Sequence, residues 1–169
     1  MENPHELSQI LSWLYLGSRH ARAEEAILKE AGVGLVCDCS KLEGLPVYDG
    51  ISYQFYDILD CEEADIRPVL DEACEAIRGW RDADSLAESR TSVFVHCNQG
   101  VSRSASVILS YLIKHEDMTL KEAFLHVKKQ RRVIMPNPGF FGKLIEWEDT
   151  HRGVTTAELG KYGQIIWKK

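Results

Sequence analysis

One stretch constrains this chain more than any other. Ser92-Val93-Phe94-Val95 leads into His96-Cys97-Asn98-Gln99-Gly100-Val101-Ser102-Arg103-Ser104. The apolar run reads as a strand, and Ala105 to Lys114 reads as a helix. A strand, a tight polar loop and a helix start make a natural anion site. The loop N–H groups and the positive end of the helix dipole converge on one point. A thiol at the start of that loop and a guanidinium at its end add a nucleophile and an oxyanion clamp.

The rest of the chain supplies a frame for that loop. Trp13 to Leu16, Val33 to Cys37 and Ile51 to Tyr56 read as strands. Ala21 to Glu30 reads as a helix with Gly32 near its end. Asp65 is a candidate N-cap with Pro68 in the first turn, and Ile66, Val69, Leu70, Ala73 and Ile77 recur at helical spacing. Residues 81–91 are polar and read as a surface loop or helix end. Thr119-Leu120-Lys121-Glu122 is a capping-box pattern that opens a helix with Ala123, Phe124 and Val127 inward. A last helix is expected from about Phe140 to Asp149, and the signals from His151 onward are weak. Strands separated by helices predict an α/β fold, one sheet covered by helices.

Bulk properties narrow the function. A length of 169 residues suits one domain with a single sizeable core. The net charge of −6 argues against nucleic acid as the main partner. No apolar run is long enough to span a membrane. Residues 1–6 lack the apolar core of a signal peptide. The five cysteines, Cys37, Cys39, Cys61, Cys74 and Cys97, are irregularly spaced and form a poor disulfide framework. A reducing compartment is therefore expected, cytoplasmic or nuclear. Cys37-Asp38-Cys39 has no answering pair and the six histidines are scattered, so neither a metal site nor a cofactor is expected.

The loop's chemistry can be built residue by residue. Loop amides, the helix start and Arg103 would each favour the Cys97 thiolate. Thiols in such settings titrate at about 3.5–7.5, against about 8.5 for a free thiol. Gly100 lets the backbone curl close to an anion. Asn98, Gln99, Val101 and Ser102 complete the cradle, and Ser102 and Ser104 can donate hydroxyl hydrogen bonds. A leaving group still needs a proton. The acidic stretch Asp57, Asp60, Glu62, Glu63 and Asp65 could supply it, and spacing alone does not choose among these residues.

The pattern His-Cys-x5-Arg-Ser at residues 96–104 resembles the signature of the cysteine-dependent protein phosphatases, and its Gly-Val-Ser-Arg-Ser ending resembles their dual-specificity branch. Leu14-Tyr15-Leu16-Gly17 is similar to that family's first strand. Arg132-Val133-Ile134-Met135-Pro136-Asn137 with Gly139-Phe140 is similar to its Arg-x-Ile-x-Pro-Asn-x-Gly-Phe segment. The resemblance spans about residues 7–150 by motif order. It implies a protein tyrosine phosphatase-like fold with a mostly parallel sheet, a catalytic domain over residues 1–150 and a tail over 151–169. It also implies hydrolysis of phosphotyrosine and phosphoserine or phosphothreonine through a cysteinyl-phosphate.

By position, Cys97 is then the nucleophile and Arg103 the phosphate clamp. Ser104 assists breakdown of the intermediate. His96 and Asn137 support the loop, and Arg132 contacts substrate. Ile58-Leu59-Asp60 resembles the family's acid loop, which makes Asp60 the general acid with Asp57 as runner-up. Two departures from the family stand out: residues 81–91 are longer than the usual link, and Asp65 stands where the family often has Asn. Asn98-Gln99 lacks the basic residues typical of phosphoinositide phosphatases, which favours a phosphoprotein substrate, a signalling kinase being one candidate. Lys128, Lys129, Arg131 and Arg132 form a basic stretch, readable as a solvated helix end or as a second phosphate subsite. Two other readings compete: a phosphopeptide-binding module without turnover, and redox control through Cys61 and Cys97. Oligomeric state is left open.

Overall fold

The computed structural model describes residues 3–40, 43–84 and 91–168. In chain order the elements are β1 (Ser8–Leu11), β2 (Leu14–Ser18), α1 (Arg19–Arg22), α2 (Glu25–Glu30), β3 (Val33–Asp38), β4 (Ser52–Phe55), α3 (Arg67–Asp84), β5 (Ser92–Cys97), α4 (Arg103–His115), α5 (Leu120–Gln130), α6 (Pro138–Arg152), β6 (Ala157–Leu159) and β7 (Ile165–Trp167). The main sheet runs β1-β2-β5-β3-β4. Only β1 pairs antiparallel with its neighbour; the other pairings are parallel. This is the expected α/β architecture, one mostly parallel sheet flanked by helices.

The two central strands, β3 and β5, are buried along their whole length. That is the behaviour of parallel strands covered on both faces. Alternation along β5 divides the interior. Val93 and Val95 join the larger core beneath α3 to α6, whereas Phe94 packs with Ala21, Leu28 and Val36 on the other face. Every residue of α4 from Arg103 to Ile113 is buried, so the helix after the loop is also the centre of the core. The loop therefore sits on rigid supports at both ends.

The capping box at α5 forms as the sequence predicts, with Thr119 and Glu122 bonding reciprocally. Three elements depart from expectation. The strand β1 carries no clear sequence signal, because its four residues alternate too briefly. The helix expected over 21–30 is two short ones. Arg22 is fully buried, its guanidinium 4.4 Å from the centre of the Tyr53 ring. The Tyr48 hydroxyl donates to the Ala23 carbonyl at 2.6 Å. A continuous helix would offer that carbonyl to Ile27, whose N–H goes to Glu24 instead, at 3.1 Å.

The third departure is the tail, which folds as the hairpin β6–β7. The fully buried Glu148 carboxylate accepts from the Leu120 N–H, the Thr156 N–H and the Thr156 hydroxyl at 2.7–2.8 Å, which ties α5 and the tail to α6. Trp167 closes this corner against Phe124 and Phe141, with ring centres 5.3 and 6.0 Å away. Within the polar stretch 81–91, α3 continues to Asp84, and residues 85–90 lie outside the described ones.

Candidate active site

β5 delivers Cys97 at its C-terminal end, and α4 begins at Arg103. Between them, four successive carbonyls are tied away from the thiol. The Asn98 carbonyl accepts from the Arg19 N–H at 3.2 Å, and that of Val101 from the Met135 N–H at 2.8 Å. The carbonyls of Gln99 and Gly100 both accept from the Arg131 guanidinium, through Nη2 and Nε, each at 2.8 Å. In a planar trans peptide the C=O and the next N–H point in opposite directions. Anchoring these carbonyls turns the amides of residues 99–102 toward the concave side of the loop. The Gly100 N–H accordingly donates to the Cys97 sulfur at 3.3 Å.

The curl needs glycine. Gly100 has φ of 67°, and a Cβ there would lie 2.3 Å from the Gly17 carbonyl oxygen. So Gly17, in the strand motif at residues 14–17, is the floor on which the loop rests.

The surroundings of Cys97 decide its charge. Burial is the largest influence and opposes the thiolate. The Ser104 hydroxyl, 3.2 Å from the sulfur, the amides of Ser104 and Val101, and the Arg103 charge outweigh it. The thiol is held below its ordinary value, as a nucleophile requires.

Arg103 is buried and fixed at one end, where Nη1 donates to the Ser40 carbonyl at 3.1 Å. Its Nε is buried without a hydrogen-bond partner among the described residues and lies 3.6 Å from Asp60 Oδ2. Asp60 is the carboxyl group that the structure brings to the loop. Its Oδ1 accepts from the Ser102 hydroxyl at 2.7 Å and from Asn137 Nδ2 at 2.9 Å. Asn137 also caps α6, accepting the Phe140 N–H at 2.9 Å, and donates its own N–H to Ser102 Oγ at 3.1 Å. Gly139 completes this support: a Cβ there would sit 2.1 Å from the Glu62 carbonyl oxygen, so its absence lets the acidic loop close down. Asp57 is exposed and off the pocket wall.

Asp60, Cys97, Asn98, Gln99, Val101, Ser102 and Arg103 line one pocket of about 250 Å³. A larger recess of about 570 Å³ shares Asn98, Gln99 and Val101 with it and extends past Arg19, His20 and Val133. Behind the thiol, His96 is fully buried with Nε2 3.3 Å from Asp38 Oδ2. Burial raises the Asp38 acid, but His96 and the Ser40 donors overcome it and hold the carboxyl below the usual range.

The basic stretch divides. Arg132 is exposed, whereas Arg131 is 3% exposed and braces the loop. Lys128 donates to the Ile134 carbonyl at 2.7 Å. Sequence reasoning missed Arg131, although helical spacing carried the signal: it lies four residues beyond Val127, just past the end of α5 in line with its buried stripe. Cys61 is half-buried just after Asp60; the strand register instead sets Cys39 one step beyond the Asp38–His96 rung, beside Cys97.

The geometry has relatives. The family model for the catalytic domain of dual specificity phosphatases matches residues 14–150. Dual specificity protein phosphatase 1 of Mus musculus is 36% identical over 142 residues, 83% of this chain and 36% of that protein. Dual specificity protein phosphatase 5 of Rattus norvegicus is 33% identical over 140 residues, 83% of this chain and 35% of that protein. The chain thus spans about a third of the length of the curated relatives it matches. The crystal structure of human DUSP28 superposes with a TM-score of 0.79 at 31% identity, covering 89% of this chain and 96% of that one. The catalytic-domain motif, its order along the chain and its fold agree, and the chain belongs to the dual specificity phosphatase family.

Proposed function

We propose that this chain is a protein phosphatase that hydrolyses phosphotyrosine and phosphoserine or phosphothreonine through a cysteinyl-phosphate. One observation carries the reading. A lowered thiol, inward-facing amides, a buried guanidinium N–H with no hydrogen-bond partner among the described residues and a supported carboxyl group share a single small pocket. In the first step the Cys97 thiolate attacks phosphorus and the bond to the leaving oxygen breaks. Asp60, as the acid, gives that oxygen its proton. The amides and Arg103 hold the three equatorial oxygens, where most charge lies. In the second step water attacks phosphorus, the Asp60 carboxylate takes its proton, and the sulfur–phosphorus bond breaks. The Ser104 hydroxyl stabilises the returning thiolate.

Within this proposal the substrate is a phosphoprotein. The pocket wall offers Asn98 and Gln99 where a polyanionic lipid headgroup would call for lysine. All five cysteines are free, which agrees with a cytoplasmic or nuclear setting. The test is hydrolysis of p-nitrophenyl phosphate and of phosphopeptides in EDTA. The wild type should turn over and Cys97→Ser should not. Asp60→Asn should slow phosphopeptide turnover by about 10²–10⁴-fold, and Asp57→Asn should not. Phosphopeptide binding with no turnover by the wild type would favour the binding-module reading. The reverse order of the two Asp variants would move the acid to Asp57.

A further inference from the structure

We infer that Arg131 is a positioning residue of the phosphate loop: its two-pronged grip on the Gln99 and Gly100 carbonyls sets the direction of the Gly100 and Val101 amides that face the thiolate and the phosphoryl oxygens. The inference rests on the phosphatase reading and goes beyond it, to a residue outside the lining of the thiol pocket.

The grip works through peptide geometry. Two consecutive peptide planes, 99–100 and 100–101, each have one carbonyl and one N–H. Left alone, a glycine-centred loop can rotate either plane at little steric cost, because Gly100 has no Cβ to resist it. Arg131 removes that freedom. Nη2 holds one carbonyl and Nε the next, both at 2.8 Å, from a single planar group. A planar fork imposes a relative orientation on two acceptors, which a lysine ammonium cannot do.

The guanidinium is itself fixed. Arg131 is the C-cap residue of α5, its N–H bonds to the Val127 carbonyl at 2.8 Å, and Nη1 reaches Ser8 Oγ at 3.3 Å. The brace therefore connects the loop to both α5 and the edge strand β1. The other two anchored carbonyls, of Asn98 and Val101, are held by backbone N–H groups that no side-chain substitution removes. Arg131 is accordingly the point at which a substitution can turn loop amides while leaving Cys97, Arg103 and Asp60 in place.

The experiment compares wild type, Arg131→Lys and Arg131→Met, with Leu144→Ala as a destabilised control whose fully buried side chain lies in α6. Four readouts are taken: thermal stability, kcat and KM on p-nitrophenyl phosphate, inhibition of that reaction by inorganic phosphate, and the pH dependence of Cys97 alkylation by iodoacetamide. Both Arg131 variants should lose about 10²-fold in kcat, the scale of a lost oxyanion donor. Their alkylation midpoint should move upward, and inhibition by inorganic phosphate should weaken. Leu144→Ala should lose stability with its alkylation profile unmoved. Arg131 variants with the wild-type alkylation profile, whatever their stability, would overturn the inference. Should neither variant fold, Ser8→Ala keeps Arg131 and both prongs but removes the anchor on Nη1. It should lower kcat a few-fold and shift alkylation in the same direction; an unmoved kcat and profile would count against the brace. The alkylation readout needs no turnover. An inactive wild type would therefore refute the phosphatase reading and still leave Arg131 testable.

Discussion

Cys39 and Cys97 sit side by side just past or at the ends of neighbouring parallel strands, both fully or almost fully buried, yet their thiols are driven in opposite directions. Burial pushes Cys39 well above its ordinary value, and nearby anionic groups add to that. Burial pushes Cys97 up too, but there it is outweighed. The two sites differ in the backbone just beyond each cysteine. After Cys39, the Ser40 N–H and hydroxyl turn to Asp38 at 2.7 and 2.5 Å, and its carbonyl is taken by Arg103. After Cys97, the backbone curls back and returns its amides to the sulfur. Burial at a strand end does not favour a thiolate; the loop after Cys97 does.

Gly100 is where this contrast is most easily destroyed. In Gly100→Ala the new methyl meets the Gly17 carbonyl, and φ of 67° is unfavourable for alanine. Turnover should fall about 10²–10³-fold as the amides leave the oxyanion. Iodoacetamide should then react with Cys97 only at higher pH, as it would with an ordinary buried thiol. Retained activity in Gly100→Ala would mean that the curl is not what activates the sulfur.

Ser104→Ala is a milder perturbation. It removes the first of the influences that favour the Cys97 thiolate. A hydrogen bond to a charged group is worth about 1.5–3 kcal/mol, so the alkylation midpoint should rise by about one pH unit or more. The sign comes from the direction of the shift. A lowered thiol is ionised at a lower pH than an ordinary one, so activity that depends on it persists as pH falls, and Ser104→Ala should shorten that acidic reach. An unchanged acid limb of the pH–rate profile would assign the lowering to the amides and Arg103 alone.

The smallest effect is expected at the other cysteine. Cys39→Ala removes a buried thiol that stands beside the loop without shaping its curl. It should cost about 1–2 kcal/mol of stability as a small cavity and leave kcat within a factor of about two, measured by thermal melt and steady-state assay. A large loss of activity would make Cys39 part of the machinery.

The same contrast explains how much can be read from the residues alone. The loop at 97–103 is legible because its chemistry is local: a strand, a glycine and an arginine at fixed spacing announce a cradle before any fold is known. The proposed acid is less legible because what singles it out is tertiary. Asp60 is distinguished from Asp57 by Ser102 and Asn137, which lie far along the chain and meet it only where the N-terminal ends of α4 and α6 converge. Arg131 is hidden in a basic run, although the inward spacing of α5 points at it. The split at Ala23 depends on the Tyr48 hydroxyl, which no helical periodicity reveals. The tail hairpin depends on Glu148, whose buried carboxylate looks in the sequence like one more surface charge on α6.

The most direct test of the central claim is to trap the intermediate. Wild-type protein turning over p-nitrophenyl phosphate is stopped by rapid denaturation, digested and mapped by mass spectrometry. The mechanism predicts phosphate on the peptide that contains Cys97, on its sulfur, and none in Cys97→Ser. Sustained turnover with no phosphorylated cysteine, or with the phosphate on another side chain, would contradict it.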